Sequence, residues 1–384
     1  MTSKLKFISF FVFILLLISG FIIKEELIDG YTIDELRTLY SSNDTSKWPA
    51  PTLHDDVVEG YVEIGNLPKI KHPKNNPYTR EKSTLGKHLF FDPRLSASKQ
   101  VSCASCHEPQ LGWADGKRIA HGDFQQPGKR NTPTLINIGF ATSLFWDGRA
   151  SSLEEQAPGP IENPIEMNTK IETAVKNIQE INGYKPLFLK AFGDTIVNET
   201  RIKKALATYQ RTVKSTRSRF DLFIDGMDNE YTDQEVLGLH LFRTKAKCAN
   251  CHNGPYFSDQ KFHNLGLSYY GRFYEDLGLY NITGKKEDVG KFKTPTLREV
   301  AKTGPWMHNG LMMDLDGIMN MYNVGMPTLK RKAHQLNDTL FPTKSNLLDS
   351  LYLSRKERNA VEAFIKTLSS RTARIEVFVD LPKN

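Results

Sequence analysis

Cys103-Ala-Ser-Cys106-His107 and its echo Cys248-Ala-Asn-Cys251-His252 decide how the rest of the chain is read. C-x-x-C-H is the attachment signature of c-type haem. The two thiols add across the porphyrin vinyl groups, and the imidazole of the next residue takes one axial face of the iron. Two intervening residues put both sulfurs within reach of adjacent vinyls, and the histidine can swing under the metal. The two copies use all four cysteines of the 384-residue chain. A zinc site would need the two pairs about 15–20 residues apart, whereas well over a hundred residues separate them. A disulfide framework would staple little in a chain of this length, whose cores need no staples. The premise is two covalently bound haem c groups, attached at Cys103, Cys106, Cys248 and Cys251, with His107 and His252 as iron ligands.

The chain opens Met1-Thr-Ser-Lys-Leu-Lys and runs without a charge from Phe7 to Ile23, a basic n-region followed by an h-region. That run is at the short end for a bilayer span, and no clear small-x-small cleavage site follows. Residues 1–28 therefore read as a signal peptide or as an N-terminal anchor. Either places the body of the protein outside the cytoplasm, in the periplasm, where c-type haem is attached. Proline-punctuated residues 29–78, with Pro49, Pro51, Pro68, Pro73 and Pro77, read as an irregular leader arm.

The length suits two domains, and 39% hydrophobic residues suffice for ordinary cores. Lys and Arg number 51 against 44 Asp and Glu, a net charge of +7 with no basic block. That pattern argues against nucleic-acid binding, while a basic face would help to steer an acidic redox partner. An internal repeat surrounds the haem motifs. Leu85-Gly-Lys-His-Leu-Phe90 precedes the first and Leu237-Gly-Leu-His-Leu-Phe242 the second, each read as a helix beside its haem. Thr232-Asp-Gln-Glu235 is a capping box that starts the second of these helices. Asn131-Thr-Pro-Thr-Leu135 is matched by Lys293-Thr-Pro-Thr-Leu297, and Trp146-Asp-Gly by His308-Asn-Gly, thirteen residues beyond each proline. Apolar periodicity predicts further helices over Ile171 to Ile178, Ile202 to Val213 and Ser354 to Leu368.

The haem motifs, Leu89-Phe-Phe-Asp-Pro-Arg-Leu-Ser96, Phe145-Trp-Asp-Gly-Arg149, Glu155 through Met167 and Phe292-Lys-Thr-Pro-Thr-Leu-Arg298 stand in an order that closely resembles the bacterial di-haem cytochrome c peroxidases, a superfamily that includes MauG. The likeness covers roughly residues 80 to 370. It implies a mainly α chain with two duplicated, cytochrome c-like haem domains and long loops: a peroxidatic N-terminal domain over 79–228 and an electron-accepting C-terminal domain over 229–384.

The resemblance also implies roles for individual residues. His121, on a glycine-containing loop, matches the histidine that caps the first haem in the resting enzyme; on its own it would read as a surface residue. Glu166 matches the catalytic glutamate, Gln156 the distal glutamine, and Trp146 the tryptophan between the haems. Asn131 with the carbonyls of Thr303 and Pro305 matches a calcium site between the domains. Aligning Leu315-Asp-Gly-Ile-Met-Asn-Met-Tyr322 puts Tyr322 at the sixth position of the second haem, as in MauG. The peroxidases carry methionine there, and a one-residue shift would substitute Met321.

The activity implied is reduction of hydrogen peroxide to water, with electrons from a small donor such as a cytochrome c or a cupredoxin. The family commonly works as a homodimer. The alternatives are a MauG-like oxidase that uses peroxide to modify a substrate, and a pure electron-transfer cytochrome with both irons permanently six-coordinate.

Overall fold

In the computed structural model, residues 27–370 and 379–384 are described. The signal-or-anchor reading falls almost wholly on residues outside that set. Among the described residues, no helix is long and apolar enough to cross a membrane. Helices of eight residues or more are α1 (Ile33–Tyr40), α2 (Arg80–Phe91), α3 (Ile171–Gln179), α4 (Lys185–Phe192), α5 (Glu199–Gln210), α6 (Asp233–Arg243), α7 (Leu315–Asn323) and α8 (Arg355–Thr367). The described strands, β1 (Phe262–His263) and β2 (Phe292–Lys293), pair antiparallel.

The fold is two helical cores organised in the same way. In each, the helix carrying the Leu-Gly-x-His-Leu-Phe stretch crosses a later helix at its glycine. A Cβ on Gly86 of α2 would stand 2.0 Å from the carbonyl oxygen of Ala205 in α5, and one on Gly238 of α6 would stand 1.9 Å from that of Ala360 in α8. The repeated glycine is thus a close approach of two backbones. Around the first crossing pack Leu85, Leu89, Phe90, Ile178, Phe188 and Leu206; around the second, Phe220, Val236, Leu239, Phe257, Val361 and Phe364. Gly238→Ala must push α6 from α8, and overpacking of this kind costs about 1–3 kcal/mol. A denaturant titration is expected to show the midpoint lowered with the slope unchanged.

The capping box at Thr232 and Glu235 is formed, and Ser354 with Glu357 makes another at the start of α8. The helix predicted through Val213 stops at Gln210. There the Thr212 hydroxyl donates to the Tyr209 carbonyl at 2.6 Å and turns the chain, and the Arg211 guanidinium is drawn into an ion pair with Glu154 at 2.7 Å.

Two expectations about the ends of the chain are corrected. Residues 29–78 are not simply an irregular arm: Thr32 and Glu35 form a reciprocal cap that starts α1. Leu36 and Tyr40 of α1, with Trp48 and Ile64, belong to the second core. The physical reason is Arg243 at the end of α6. It is fully buried, and the leader segment supplies its partners: the Glu63 carboxylate, the Tyr40 hydroxyl at 3.0 Å and the Pro49 carbonyl at 2.7 Å. At the other end, residues 382–384 lie on the first core. The Arg94 guanidinium donates to the Pro382 carbonyl and the Gly183 N–H to that of Lys383.

The two cores meet along a polar and aromatic seam. Arg130 donates through Nε and Nη2 to both carboxylate oxygens of Asp276, at 2.7 and 2.9 Å, and through Nη1 to Asp147 at 2.5 Å. The N–H of Lys293 on β2 donates to the Trp146 carbonyl at 2.9 Å, and the N–H of Asn131 to that of His308 at 2.8 Å.

Candidate functional site

Each C-x-x-C-H motif forms a single tight turn. The N–H of His107 bonds to the carbonyl of Cys103 at 2.9 Å, and that of His252 to Cys248 at 2.9 Å. Each imidazole spends Nδ1 on a backbone carbonyl, His107 on Trp113 at 3.1 Å and His252 on Phe257 at 3.1 Å. That bond fixes the tautomer and leaves Nε2 to a metal. Burial lowers both imidazoles below their ordinary pKa, which keeps them neutral, as ligands must be. None of the four thiols is paired in a disulfide. The metal-competent cluster found among the described residues, Cys251 with Asp259 and His263, does not join the two cysteine pairs, as the zinc alternative requires.

Beside the second motif lies a large cavity lined by Cys248, Cys251, His252, Phe242, Leu297 and Ile365 and, across from them, by α7. Paired thiols, a neutral oriented imidazole and apolar walls fit a haem. On α7 the lining residues are Leu315, Ile318, Met319 and Tyr322, the i, i+3, i+4, i+7 face of one helix. Met321 is one residue out of phase and does not line the cavity. The Tyr322 hydroxyl makes no hydrogen bond to a described residue. Burial first, then the neighbouring Cys251 and Cys248 sulfurs, raises its pKa far above the ordinary phenol value.

The same cavity reaches the seam, where Asn131, Trp146, Lys293, Thr303, Pro305 and His308 line it. The candidate calcium ligands Asn131, Thr303 and Pro305 thus all line one cavity. Asn131 spends its side-chain N–H on the Lys117 carbonyl at 2.9 Å, leaving its amide oxygen for other use. The Trp146 indole N–H donates to the Asn131 carbonyl at 2.9 Å. Its ring meets His308 edge-on, 6.4 Å between centroids, and His308 stacks on Phe292 at 3.6 Å.

At the first motif, burial raises the Glu166 carboxyl above the ordinary glutamate range, against an opposing Asn163 hydrogen bond and the Arg149 charge. The Asn163 amide holds its Oε1 at 2.6 Å. The carboxylate is close enough to help raise the thiols, after burial, to about 12 for Cys103 and about 11 for Cys106. Gln156 ends a short helix (Leu153–Gln156), half-buried, its side chain unbonded to described residues. His121 is exposed, in a bridge with Pro127. Its loop is nonetheless anchored on the Glu166 segment: the Asp123 N–H donates to the Glu166 carbonyl at 2.6 Å, and Ser98 holds the Asp123 carboxylate. Asn163, Arg130, Lys293 and Phe292 were not legible as site residues. Arg130 stands beside Asn131, Asn163 lies within the Glu155–Met167 stretch, and Phe292 and Lys293 open the Phe292–Arg298 stretch; that placement is the signal the sequence carries for them.

Two oriented haem-ligand motifs, a half-buried carboxyl by the first and a cavity spanning the seam define a di-haem electron-transfer enzyme, and the chain belongs to the di-haem cytochrome c peroxidase family. The model of that family matches residues 80–229, and membership implies two haem cofactors. "Methylamine utilization protein MauG" of Methylorubrum extorquens is 39% identical over 309 residues, 80% of this chain and 83% of the relative. "Cytochrome-c peroxidase IdrP1" of Pseudomonas sp. (strain SCT) is 35% identical over 340 residues, 81% and 86%. Among solved structures, a "MauG-like protein associated with microbial copper homeostasis" is 30% identical with a TM-score of 0.71, covering 79% of this chain and 93% of that one.

Proposed function

We propose that the chain is an exported, periplasmic di-haem c-type peroxidase, two copies of one haem-binding unit, that reduces H₂O₂ with two electrons and two protons to two waters. Electrons come from a small redox protein, a cytochrome c or a cupredoxin, by way of the C-terminal haem. When bound, the haems supply the electrons and the iron at which the O–O bond breaks. The residues do the rest. The Trp113 and Phe257 carbonyls hold His107 and His252 through Nδ1, so that Nε2 would be the atom offered to iron. Trp146, fixed by Asn131 and tied to β2, sits where charge must cross between the halves. The observation that carries the reading is Glu166, a carboxyl lifted by burial beside the first haem motif and held by Asn163. Such a group takes the proton from one peroxide oxygen and returns it to the other. Gln156, on the preceding short helix, belongs to the same distal stretch. Asn131, Thr303 and Pro305 offer the hard oxygen donors that suit a calcium ion at the seam. Pairing into a homodimer is part of the same family reading.

A second reading, a MauG-like oxidase, is favoured by Tyr322 on the cavity-facing side of α7, with Met321 out of phase. A phenolate ligand lowers the potential of the second iron relative to methionine. The exposed position of His121 fits a first iron open without prior reduction. Electron paramagnetic resonance and near-infrared spectra of oxidised and half-reduced protein decide between the two. A methionine–iron charge-transfer band, with high-spin signal only after one-electron reduction, establishes the reductively activated peroxidase. Its absence, with high-spin haem already in the oxidised protein, establishes the oxidase. Tyr322→Phe is expected to change the low-spin signal of the second haem and leave that of the first unaltered; an unchanged spectrum would remove Tyr322 as a ligand.

A further inference from the structure

The seam side of the cavity holds a cation with no carboxylate partner among the described residues. Lys293, on β2, points its ammonium across to the first half, where the Ser143 carbonyl accepts one of its three N–H groups. No carboxylate among the described residues pairs with it. The seam carboxylates Asp147 and Asp276 are already spent on Arg130. Burial, with no compensating charge, holds the ammonium down at about 8. A buried charge is retained where something pairs it. A second polar group there is also unsatisfied: His308 is 4% exposed, and its Nε2 has no hydrogen-bond partner among the described residues. Its ring is locked on Phe292, so the nitrogen cannot turn away to find one. Both residues line the cavity that carries Cys248, Cys251 and His252.

We infer that Lys293 is the counter-ion of a carboxylate side arm of the second haem, and that His308 Nε2 completes the cradle. The inference rests on the reading that the second half binds haem c. Haem carries two carboxylates at the edge opposite its vinyls, so attachment at Cys248 and Cys251 leaves the acidic edge to other residues. Lys293 thereby acts as a positioning residue on the potential of the second iron. A fixed positive charge disfavours the oxidised, more positive state, which favours electron acceptance. Its bonds to Ser143 and Trp146 join that acidic edge to the first half.

The test uses the full-length holoprotein and three variants, Lys293→Met, Lys293→Arg and His308→Phe, with haem stoichiometry, spectroelectrochemical titration and the resonance Raman band of the haem carboxylate bend. Lys293→Met is expected to lower the reduced-to-oxidised ratio of the second haem about tenfold at fixed potential, about 59 mV for a one-electron couple, and to shift the carboxylate band. Lys293→Arg should restore both, and His308→Phe should shift the band with the charge retained. An unmoved potential and band in two-haem Lys293→Met overturn the inference. Should that variant not take up both haems, an unchanged band in His308→Phe overturns it instead. A wild-type chain with one haem would remove the functional reading itself, which stoichiometry alone reveals.

Discussion

Glu166→Gln is expected to lower peroxide turnover by about 10²–10⁴-fold, the usual contribution of a positioned acid–base group, while both haems load and absorb as in the wild type. At about 1.36 kcal/mol per tenfold, this is roughly 3–5 kcal/mol of transition-state stabilisation. The amide matches the carboxylate in size and keeps the Asn163 contact but cannot take up a proton. The sign of the pH dependence follows. A base must be ionised to accept the proton, and burial raises the Glu166 carboxyl. The acid limb of kcat/KM should therefore lie above the ordinary glutamate value of about 4.3, and it should vanish in the glutamine variant. Stopped-flow mixing of reduced protein with peroxide reads both. A loss under about tenfold would place the proton transfer elsewhere.

Arg130→Met is expected to destabilise the protein by about 3–5 kcal/mol, because it strands the Asp276 carboxylate and leaves Asp147 with Arg149 as its remaining ion-pair partner among the described residues. Asp147 is almost fully buried and Asp276 largely so. Burial would raise the Asp276 carboxyl, but the hydrogen bonds and charge of Arg130 outweigh it and hold the group below its ordinary range. A carboxyl depressed in the folded state stabilises fully above its unfolded value, about 3.9, and loses that contribution as pH falls through the folded value. Wild-type protein should thus lose stability in acid below about pH 4, and the variant should start lower and lose less. Denaturant melts against pH measure this. Adding Asp276→Asn to Arg130→Met should cost less than the sum of the two single changes, since the pair is coupled; strict additivity would refute the clamp. The same change frees the segment holding Asn131, whose carbonyl fixes the Trp146 indole. Electron transfer between haems should slow with it.

What could be read in advance was local and covalent in origin. The C-x-x-C-H pentapeptides dictate their own turn, because bond lengths and a one-residue step from cysteine to histidine leave little choice. The repeated Leu-Gly-x-His-Leu-Phe stretches carried a steric requirement, a backbone crossing at glycine, that reappears at Gly86 and Gly238. The capping box at Thr232 is likewise a matter of three consecutive backbone steps.

Other features depend on which surfaces meet. Prolines marked residues 29–78 as irregular, yet α1 packs into the second core because buried Arg243 draws its partners from that segment, nearly two hundred residues away in sequence. The alignment put Tyr322 at the sixth position of the second haem, with Met321 one register step away. Only the phase of α7 against the cavity separates them, since one residue on a helix is a rotation of about 100°. Lys293 and His308 carry no sequence signal of unsatisfied chemistry. Whether a cation has an anion is decided by what folds around it, and here the seam carboxylates Asp147 and Asp276 are already held by Arg130. The sequence by itself determined the two C-x-x-C-H turns, the repeat and the helix-crossing glycines, because chemistry within a few bonds sets them. Tertiary structure alone decided the seam, which residue of α7 faces the cavity, and that Lys293 has no carboxylate partner among the described residues, because those depend on distances between residues that the chain order leaves free.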